Sequence, residues 1–372
     1  MTERTLSNRE LNRTHLHRQH LLERTSMSTG DMLLHLVGLQ AQEVRDPYLG
    51  LWNRIEGFQH DDLAAMLPDR SAVRASLMRG TIHLVTAEDY LELVRFTWKL
   101  HQRAVHSVSS ARLVPREHHA EICAMARELL ADQPMSAADI GTALQPHFPE
   151  YEARSLGQVV RFLLPLIQVP PRGLWEAGRS PKPVWTTPQG WLNTEVIEEE
   201  APPHAVIRRY LRAFGPASLP DISSWSGVTN FKKPLTEMAD ELVTYKDEEG
   251  VVLYDLAGLE VMSPDMEAPV RFMPMFDNAL LGHKNRRRIV GDEERALLAT
   301  QNGMPASAFL VDGFVAGMWN AKDGQIQLAE FRPLSKSERQ AIEDEAAKMS
   351  VFWTGAETPL AWVPIWKEPG KW

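Results

Sequence analysis

The chain has 372 residues, enough for two or three domains at roughly 150 residues each. Its composition is 44% hydrophobic and 24% charged, which is typical of a globular protein and excludes a disordered one. The net charge of −9 excludes a uniformly basic polyanion-binding protein, but not one whose basic residues collect on one surface. The single cysteine, Cys123, excludes a disulfide framework and a cysteine-ligated zinc or iron–sulfur site supplied by this chain alone.

The sequence carries no recognisable signal for export or membrane insertion. Its first 24 residues mix arginine with glutamate and lack the apolar segment of a signal peptide. The longest apolar runs, such as 162–167, are interrupted by proline and fall far short of the roughly 20 residues of a spanning helix. We therefore expect a cytoplasmic protein that makes no contact with a membrane.

A helix-start motif, Ser-x-x-Asp followed by apolar residues, occurs three times, beginning at Ser28, Ser136 and Ser218. The serine hydroxyl accepts a hydrogen bond from a free first-turn amide, and the aspartate favours the positive end of the helix dipole. A helical pattern precedes each copy, and a further helix and a hairpin-like region follow it. This order of elements predicts three winged helices, which are relatives of the helix-turn-helix.

Each predicted winged helix ends in a two-stranded ribbon. The predicted strand pairs are 72–78 with 81–86, 167–169 with 174–176, and 243–245 with 251–256. The third module has the clearest pattern, with helices predicted at 204–214, 220–226 and 233–242. The uneven spacing of the three copies indicates separately elaborated modules rather than a solenoid.

The last third of the chain has short alternating apolar runs. Tight-turn signals at Asp312-Gly313 and Asp323-Gly324 separate runs at 309–311, 314–319 and 325–329. This pattern predicts a small β-rich domain, a sandwich or a barrel. A polar helix at 335–349 is expected to follow. A tryptophan-rich tail closes the chain, with Trp353, Trp362, Trp366 and Trp372.

The predicted fold class is α+β, with tandem winged-helix (helix-turn-helix) modules followed by a small C-terminal β-barrel. The acidic stretch 195–200, followed by two prolines, is the clearest linker. Cys123 lies on the apolar face of a predicted helix and is expected in the core. The predicted domains are residues 1–100, 101–195, 201–258 and 259–372.

Basic residues collect in two segments despite the negative net charge. Residues 1–24 contain five arginines against three glutamates, and residues 271–288 contain five basic residues against one aspartate. If 283–288 forms a ribbon, the period of two places Lys284, Arg286 and Arg288 on one face, where they can follow phosphates or enter a narrow minor groove. A solvated turn is the alternative. No metal-ligand motif accompanies the histidines, so no metal site is expected.

Two glutamines lie at the end of a predicted helix that runs from Met32 to Gln42 and is limited by Pro47. Gln40 falls on the apolar stripe of this helix, where the pattern calls for an aliphatic residue. On a helix Gln42 would point about 200° away from Gln40, whereas in an extended or turned segment the two share a side. The alternative to a functional pair is a glutamine at the core edge that binds the backbone.

A predicted strand over 76–85 has one polar and one apolar face. Arg79, Thr81 and His83 alternate with apolar residues along it. Their polar face is able to line a cleft that holds nucleic acid. An ordinary half-exposed wing is the alternative.

Four short motifs follow one another in the chain. They are G-L-Q-A-Q at 38–42, R-G-T-I-H-L-V at 79–85, P-M-F-D-N-A-L-L-G-H at 274–283, and V-D-G at 311–313 with G-M-W at 317–319. In this order they resemble the winged-helix DNA glycosylases of the AlkZ/YcaQ type. The resemblance extends from about Leu6 to Trp366.

The resemblance implies tandem winged helices and a C-terminal β-barrel curved around double-stranded DNA that carries alkylated purines. It implies hydrolysis of the N-glycosidic bond of those purines, notably N7-alkylguanine. Gln40 and Gln42 match the catalytic pair of the Gln-x-Gln branch, which includes enzymes that unhook interstrand crosslinks and protect producers of DNA-alkylating antibiotics. We expect a monomeric bacterial enzyme, acting at the nucleoid without cofactor, metal or protein partner.

The family also uses a barrel hairpin to probe the minor groove, which the resemblance places at 283–288. The candidate DNA contacts are therefore Arg79, Thr81, His83, Lys284, Asn285, Arg286, Arg287 and Arg288. Tandem winged helices fit two other functions as well. One is a transcriptional regulator without catalysis, although such proteins usually dimerise and no dimerisation helix is evident. The other is a protein that sequesters the alkylating compound itself.

A pair of glutamines fits this chemistry for a physical reason. Glycoside hydrolysis normally needs an acid to protonate the leaving group and a base to activate water. Guanine alkylated at N7 already carries a positive charge, so it departs as a neutral base without a protein acid. Two carboxamides then need only to hold water near C1′ while the sugar becomes cationic.

Overall fold

The computed structural model describes residues 4–176, 181–300 and 304–366, which form a mixed α and β fold. This agrees with the predicted α+β class, and Trp372 of the predicted tail lies outside the described residues. The fold starts with helix α1 (Asn8–Arg18), whose first turn is capped by reciprocal hydrogen bonds between Ser7 and Glu10. Within the described ranges, no helix is both long enough and apolar enough to cross a membrane.

Residues up to 192 form one antiparallel sheet surrounded by helices. The strands are β1 (Leu39–Gln40), β2 (Ala72–Ser76), β3 (Ile82–Thr86), β4 (Ile167–Gln168) and β5 (Trp185–Thr186). They pair in the order β1-β3-β2-β4-β5. The helices are α2 (Thr29–His35), α3 (Asp46–Trp52), α4 (His60–Ala64), α5 (Ala87–Phe96), α6 (Trp98–Ala104), α7 (Arg116–Asp132), α8 (Ala137–Leu144), α9 (Ala153–Leu163) and α10 (Pro188–Leu192).

The first predicted ribbon is confirmed, and the second is wrong in its partner strand. Strand β4 pairs with β2 and with β5, so the ribbons of the first two modules share one sheet. Residues 174–176 form a turn instead of a strand because Trp175 packs in an aromatic cluster, stacked on His60 at a centroid distance of 3.9 Å. Cys123, on α7, is buried as predicted.

The third module has the predicted order of three helices followed by a ribbon. Its helices are α11 (His204–Phe214), α12 (Leu219–Ser226) and α13 (Lys232–Glu237), and its strands are β6 (Leu242–Lys246) and β7 (Val252–Leu256). Ser218 caps α12 in a reciprocal box with Asp221. The match is close because every helix here carries its own amphipathic pattern and the ribbon has a local turn, so few long-range contacts are needed to specify it.

The described residues of the C-terminal third form an open sheet, and the predicted barrel is not confirmed. Its strands are β8 (Arg271–Met273), β9 (Ser307–Val311), β10 (Phe314–Lys322), β11 (Gln325–Glu330) and β12 (Leu360–Trp362). They pair in the order β12-β11-β10-β9-β8, so within the described residues the two edge strands do not meet. The predicted turns at Asp312-Gly313 and Asp323-Gly324 are confirmed, with positive φ at all four residues.

Helices complete this C-terminal unit. They are α14 (Asn278–Leu281), α15 (Asp292–Leu298) and α16 (Lys336–Thr354). Residues Ile342 and Met349 of α16 pack in one apolar cluster with Phe309 and Trp319 of the sheet. Because a helix buries this face, the sheet does not need to close on itself to bury it.

The basic residues of the N-terminal segment mostly serve the fold rather than a solvated or DNA-facing surface. Arg18 forms a bidentate pair with the buried Asp255, at 2.7 and 2.8 Å. The fully buried Arg13 pairs with Asp312 in the turn between β9 and β10. His15 is also fully buried, and burial lowers its pKa to about 3. Helix α1 therefore fastens the third module to the C-terminal sheet.

Candidate active site

The segment that carries Gln40 is a strand, so the helix predicted through to Gln42 is wrong. Helix α2 ends at His35 because Val37 and Gly38 adopt left-handed backbone conformations, with φ of 56° and 82°. The Asn278 amide, on α14, donates to the carbonyl oxygen of Gly38 at 2.8 Å and to that of Leu36 at 3.3 Å. This turn redirects the chain into β1, which pairs with β3 in the register Gln40 to His83.

Gln40 is largely buried, but its carboxamide reaches a cleft. The residue is 6% exposed. Its Oε1 accepts a hydrogen bond of 2.7 Å from Arg79 Nη2. Among the described contacts, the Gln40 side chain forms a hydrogen bond through Oε1, and none is formed by Nε2. The amide group of Gln40 is therefore free to donate to a ligand in the cleft.

Gln42 lies at a bend two residues further on and is exposed. Its Oε1 is 3.4 Å from the Ile82 amide, a long contact that a water molecule can replace. The chain is extended at Gln40 and bent at Gln42, so the two glutamines are not on one helix. Gln42 therefore lies beside the start of β3, and of the two glutamines only Gln40 is among the described lining residues of the adjoining cleft.

The cleft beside Gln40 has a volume of about 600 Å³ and opens to solvent. Its walls come from the hairpin of β2 and β3, from α14 and from α15. Arg79, Arg286 and Arg295 line it, and Asp292 is the one carboxylate among its described lining residues. The remaining lining is mainly apolar, with Met275, Phe276, Leu280, Leu281, Val290, Ala296, Leu298, Ala299 and Pro305. The described lining therefore has an excess of positive charge and few polar groups that could hydrogen-bond to water.

Arg79 occupies the turn between β2 and β3, which agrees with the predicted ribbon of 72–78 with 81–86 and contradicts the continuous strand predicted over 76–85. The turn Met78–Gly80 is a short 3-10 helix with Arg79 at φ 56°. Arg79 Nη1 donates to the carbonyl oxygen of Trp225 in α12. Burial, and secondarily the charge of Arg286, lower the pKa of Arg79 to about 10, so the guanidinium remains charged at neutral pH.

His83 and Thr81 do not form a polar face with Arg79, because the turn breaks the alternation. His83 is 2% exposed, so its ring offers almost no surface to DNA. Its Nδ1 donates to the Thr81 carbonyl oxygen at 3.0 Å. Burial, followed by the charge of Arg79, lowers the pKa of His83 to about 3. The titratable ring nearest to Gln40 in the sheet register is therefore neutral at physiological pH.

The segment 283–288 is an irregular loop, so the predicted hairpin is wrong at this position. The Asp221 carboxylate accepts the amides of Lys284 and Asn285, at 2.8 and 3.2 Å, and this fixes the start of the loop. The amides of Ile289 and Val290 both bond to the carbonyl oxygen of Arg286, which makes a helical turn instead of a ladder.

The basic side chains of this loop have different environments. Arg286 lines the cleft, and the side chains of Lys284 and Asn285 are exposed. Arg287 forms ion pairs with Glu249 and Asp292. Arg288 and His283 are buried, and Arg288 donates to the Pro216 carbonyl oxygen at 3.0 Å. Of the predicted contacts, Arg286 and Lys284 are thus the cations best placed to meet a polyanion.

Three residues that support the site were not singled out from the sequence. Asp277 forms a fully buried bidentate pair with Arg54, at 2.7 and 2.8 Å. Asn278 holds the turn before β1. The motif at 274–283 contains both Asp277 and Asn278, and the signal that could have identified them is a pair of polar residues between apolar neighbours. Arg54 had no such signal because its partner is 223 positions away.

Three comparisons with known proteins each match most of the chain. A family model described as "DNA glycosylase AlkZ-like" matches residues 33–352. The "Interstrand DNA cross-link repair glycosylase" of Streptomyces sahachiroi is 26% identical over 355 residues, which are 90% of this chain and 93% of that protein. The solved structure of "Streptomyces sahachiroi DNA glycosylase AlkZ" covers 96% of this chain and 100% of its own, with a TM-score of 0.81 at 22% identity. This likeness shows the fold, and the family match includes both Gln40 and the 283–288 loop.

The turn before β1 gives a test of how Gln40 is positioned. A Cβ atom on Gly38 would lie 2.4 Å from Val85 Cγ1 and 2.9 Å from the Leu84 carbonyl oxygen, so Gly38→Ala adds a clash to the strain of positive φ. We expect a loss of about 2 kcal/mol or more in the free energy of unfolding, measured by urea denaturation. Gly80→Ala is the matched control, because Gly80 has φ of 69° but open space around it. Its loss is expected to be about 1 kcal/mol. Equal losses in the two variants would contradict a contact between Gly38 and β3 as the reason for the turn.

Proposed function

The chain belongs to the AlkZ-like DNA glycosylase family, and from this premise we propose that it hydrolyses the N-glycosidic bond of cationic, N7-alkylguanine-type adducts in double-stranded DNA. The observation that carries the proposal is the carboxamide of Gln40 at the wall of an open cleft whose described lining contains one carboxylate, Asp292. Asp292 is itself paired with Arg287. A site of this kind suits a leaving group that needs no protonation.

The proposed reaction breaks the bond between C1′ and the purine nitrogen. The bonding electrons go to the base, which is cationic before cleavage and neutral after it. Water then adds to C1′ and loses a proton. Gln40 and Gln42 hold that water through hydrogen bonds, and in this role neither side chain needs to titrate.

The two cleft arginines without a hydrogen bond to Gln40, Arg286 and Arg295, fit this scheme if they contact phosphates rather than the damaged base. A cationic base next to Arg79, Arg286 and Arg295 would be repelled in a site that excluded the DNA backbone. Phosphates that contact Arg286 and Arg295 neutralise these two side chains and also stabilise the positive charge that develops on the sugar. The proposed substrate is therefore an adduct still held in its DNA strand, not a free nucleoside.

We further propose that the substrates include bulky adducts and interstrand crosslinks formed by DNA-alkylating natural products, in self-resistance or repair. The S. sahachiroi relative is named as an interstrand cross-link repair glycosylase. The open cleft supports the extension, because a crosslinked base cannot rotate into an enclosed pocket as in base flipping. We propose that the enzyme acts as a monomer without a cofactor. Family membership favours catalysis over the alternative of a non-catalytic transcriptional regulator.

The first test is release of the base. Incubation of DNA containing N7-methylguanine with excess enzyme should liberate N7-methylguanine and leave alkali-labile abasic sites, whereas DNA containing uracil or hypoxanthine should stay intact, because those bases leave as anions. Gln40→Ala should lower the single-turnover rate about 100-fold or more. Its stability should fall by only about 1–2 kcal/mol, because one buried hydrogen bond is lost. Loss of activity through unfolding alone would support a purely structural role for Gln40.

A second test uses pH. The pKa of His83 is lowered to about 3, so this ring stays neutral above roughly pH 5 and supplies no proton to a leaving base. The single-turnover rate on N7-methylguanine DNA should therefore be flat between about pH 5.5 and 8.5. A rate that falls as pH rises through about 6.5 would instead indicate a histidine acting as a general acid.

A third test separates the basic side chains of the loop. Arg286→Gln should weaken DNA binding for all sequences and reduce the slope of log affinity against log salt by about one unit. Arg287→Gln is the matched control and should have a smaller effect, since Arg287 is already paired with Glu249 and Asp292. Binding by fluorescence anisotropy at several salt concentrations measures both. Unchanged affinity in Arg286→Gln would exclude this cleft as the path of the DNA.

A further inference from the structure

The contact between Gln40 and Arg79 fixes which end of the carboxamide faces the cleft. A guanidinium has only hydrogen-bond donors, so the atom of Gln40 that meets Arg79 Nη2 at 2.7 Å must be the oxygen. The Nε2 group then points away from Arg79. The same contact draws electron density toward Oε1, and this makes the Nε2 hydrogens better donors.

Arg79 is itself held from two directions. Its backbone adopts the left-handed conformation and is followed by Gly80 at φ 69°. The far side of the guanidinium donates to the Trp225 carbonyl oxygen, in the last turn of α12. A Cβ atom on Gly227 would lie 2.9 Å from Arg79 Cα, so the end of α12 packs directly on the turn. Both Nη groups therefore have partners, and the side chain has little freedom to swing toward a phosphate.

Other cations of the cleft do not share this arrangement. Arg295 also lines the cleft, but it is exposed and has no hydrogen bond to Gln40 among the described contacts. Arg286 is half-buried and lies close enough to Arg79 to lower the pKa of the Arg79 guanidinium. These two side chains are placed to attract DNA, whereas Arg79 is placed to act on a neighbouring amide.

We propose that Arg79 is a positioning residue, which locks the Gln40 carboxamide so that Nε2 is presented to the reacting sugar and water as a donor. The inference rests on the proposed glycosylase function and deepens it. It divides the roles within the glutamine pair: Gln40 donates a hydrogen bond through Nε2, and Gln42 accepts a hydrogen bond from the attacking water through Oε1, while the proton that this water loses passes to bulk solvent. It also replaces the expected role of Arg79 as a DNA contact.

The test compares Arg79→Met and Arg79→Lys in single-turnover assays on N7-methylguanine DNA, with the Kd for DNA measured separately. Arg79→Met should lower the rate at saturating enzyme about 10- to 100-fold and change Kd by less than about 3-fold. The rate of Arg79→Lys should be intermediate, because an ammonium can still donate to Gln40 but cannot contact Gln40 and Trp225 at once through two separate nitrogens, as the guanidinium does. Arg295→Met, which removes another cation of the same cleft, should raise Kd more than it lowers the rate. A raised Kd with the rate retained in Arg79→Met would overturn the proposal in favour of a phosphate contact.

A double-mutant cycle tests whether Arg79 acts through Gln40. In a Gln40→Ala background, Arg79→Met should cause almost no further loss of rate, whereas independent roles would give additive losses. Gln40→Glu keeps an oxygen facing Arg79 but replaces Nε2 with a second oxygen, so its rate should fall as far as that of Gln40→Ala. Full activity in Gln40→Glu, or additive losses in the cycle, would overturn the proposal. Thermal unfolding of every variant identifies effects that come from misfolding.

A measurement that does not depend on catalysis separates the proposed glycosylase function from the positioning role of Arg79. The side-chain NH₂ signals of Gln40, assigned by their loss in Gln40→Ala, should shift in the ¹H–¹⁵N spectrum of Arg79→Met, and this shift tests the contact in the free protein. If the shift occurs but wild-type protein releases no base from any alkylated DNA, the proposed function fails and the positioning role fails with it. If wild-type protein releases base and Arg79→Met is as fast as wild type, only the positioning role fails.

Discussion

The left-handed turn at Val37 and Gly38 is the constraint on which the candidate active site depends. It converts what would be the last turn of a helix into a strand, and so moves Gln40 from an apolar helix stripe to the edge of a cleft. The turn is held from outside by the Asn278 amide, which reaches it from the C-terminal unit. Asp277, next to it, is fixed by the buried pair with Arg54. A residue in the first fifty positions thus owes its conformation to residues more than two hundred positions later.

The same logic explains how a protein of net charge −9 presents a positive cleft. Many of its arginines are neutralised internally by specific carboxylates, for example Arg18 by Asp255 and Arg209 by Asp89. In the acidic stretch predicted as a linker, Glu198 and Glu199 pair with arginines of α7 and α5. Arginines outside the cleft are thus paired with carboxylates. The cleft beside Gln40 is lined by three arginines and one aspartate, so its local charge is positive although the net charge of the chain is negative.

The sequence predicts those parts of the molecule whose determinants are local. The three helix starts, the third module and the two aspartate–glycine turns follow from caps, amphipathic periods and turn residues within about ten positions. The failures share the opposite property. The end of α2 depends on the contact of Asn278 with Gly38, the partner strand of β4 on the packing of Trp175 against His60, and the shape of the 283–288 loop on Asp221. Each is a contact between residues far apart in the chain. Gln40 was identified through the family resemblance and because it is a polar residue on a predicted apolar stripe. Its contact with Arg79 is visible only in the folded structure.

The candidate site is also where local pattern and final structure disagree most, and this disagreement has a physical meaning. Three features of the site lower the free energy of unfolding or add nothing to it. They are an amide in an apolar stripe, an arginine at φ 56° and a histidine whose pKa falls to about 3. They persist because the surrounding elements over-determine them: α12 holds Arg79, and α14 holds the turn before β1. In the proposed reaction, a rigid and charged cleft whose described lining contains no histidine stabilises a cationic sugar only through dipoles and phosphates. The proposed leaving group fits this cleft, because a base that is cationic before cleavage and neutral after it needs no proton from the protein.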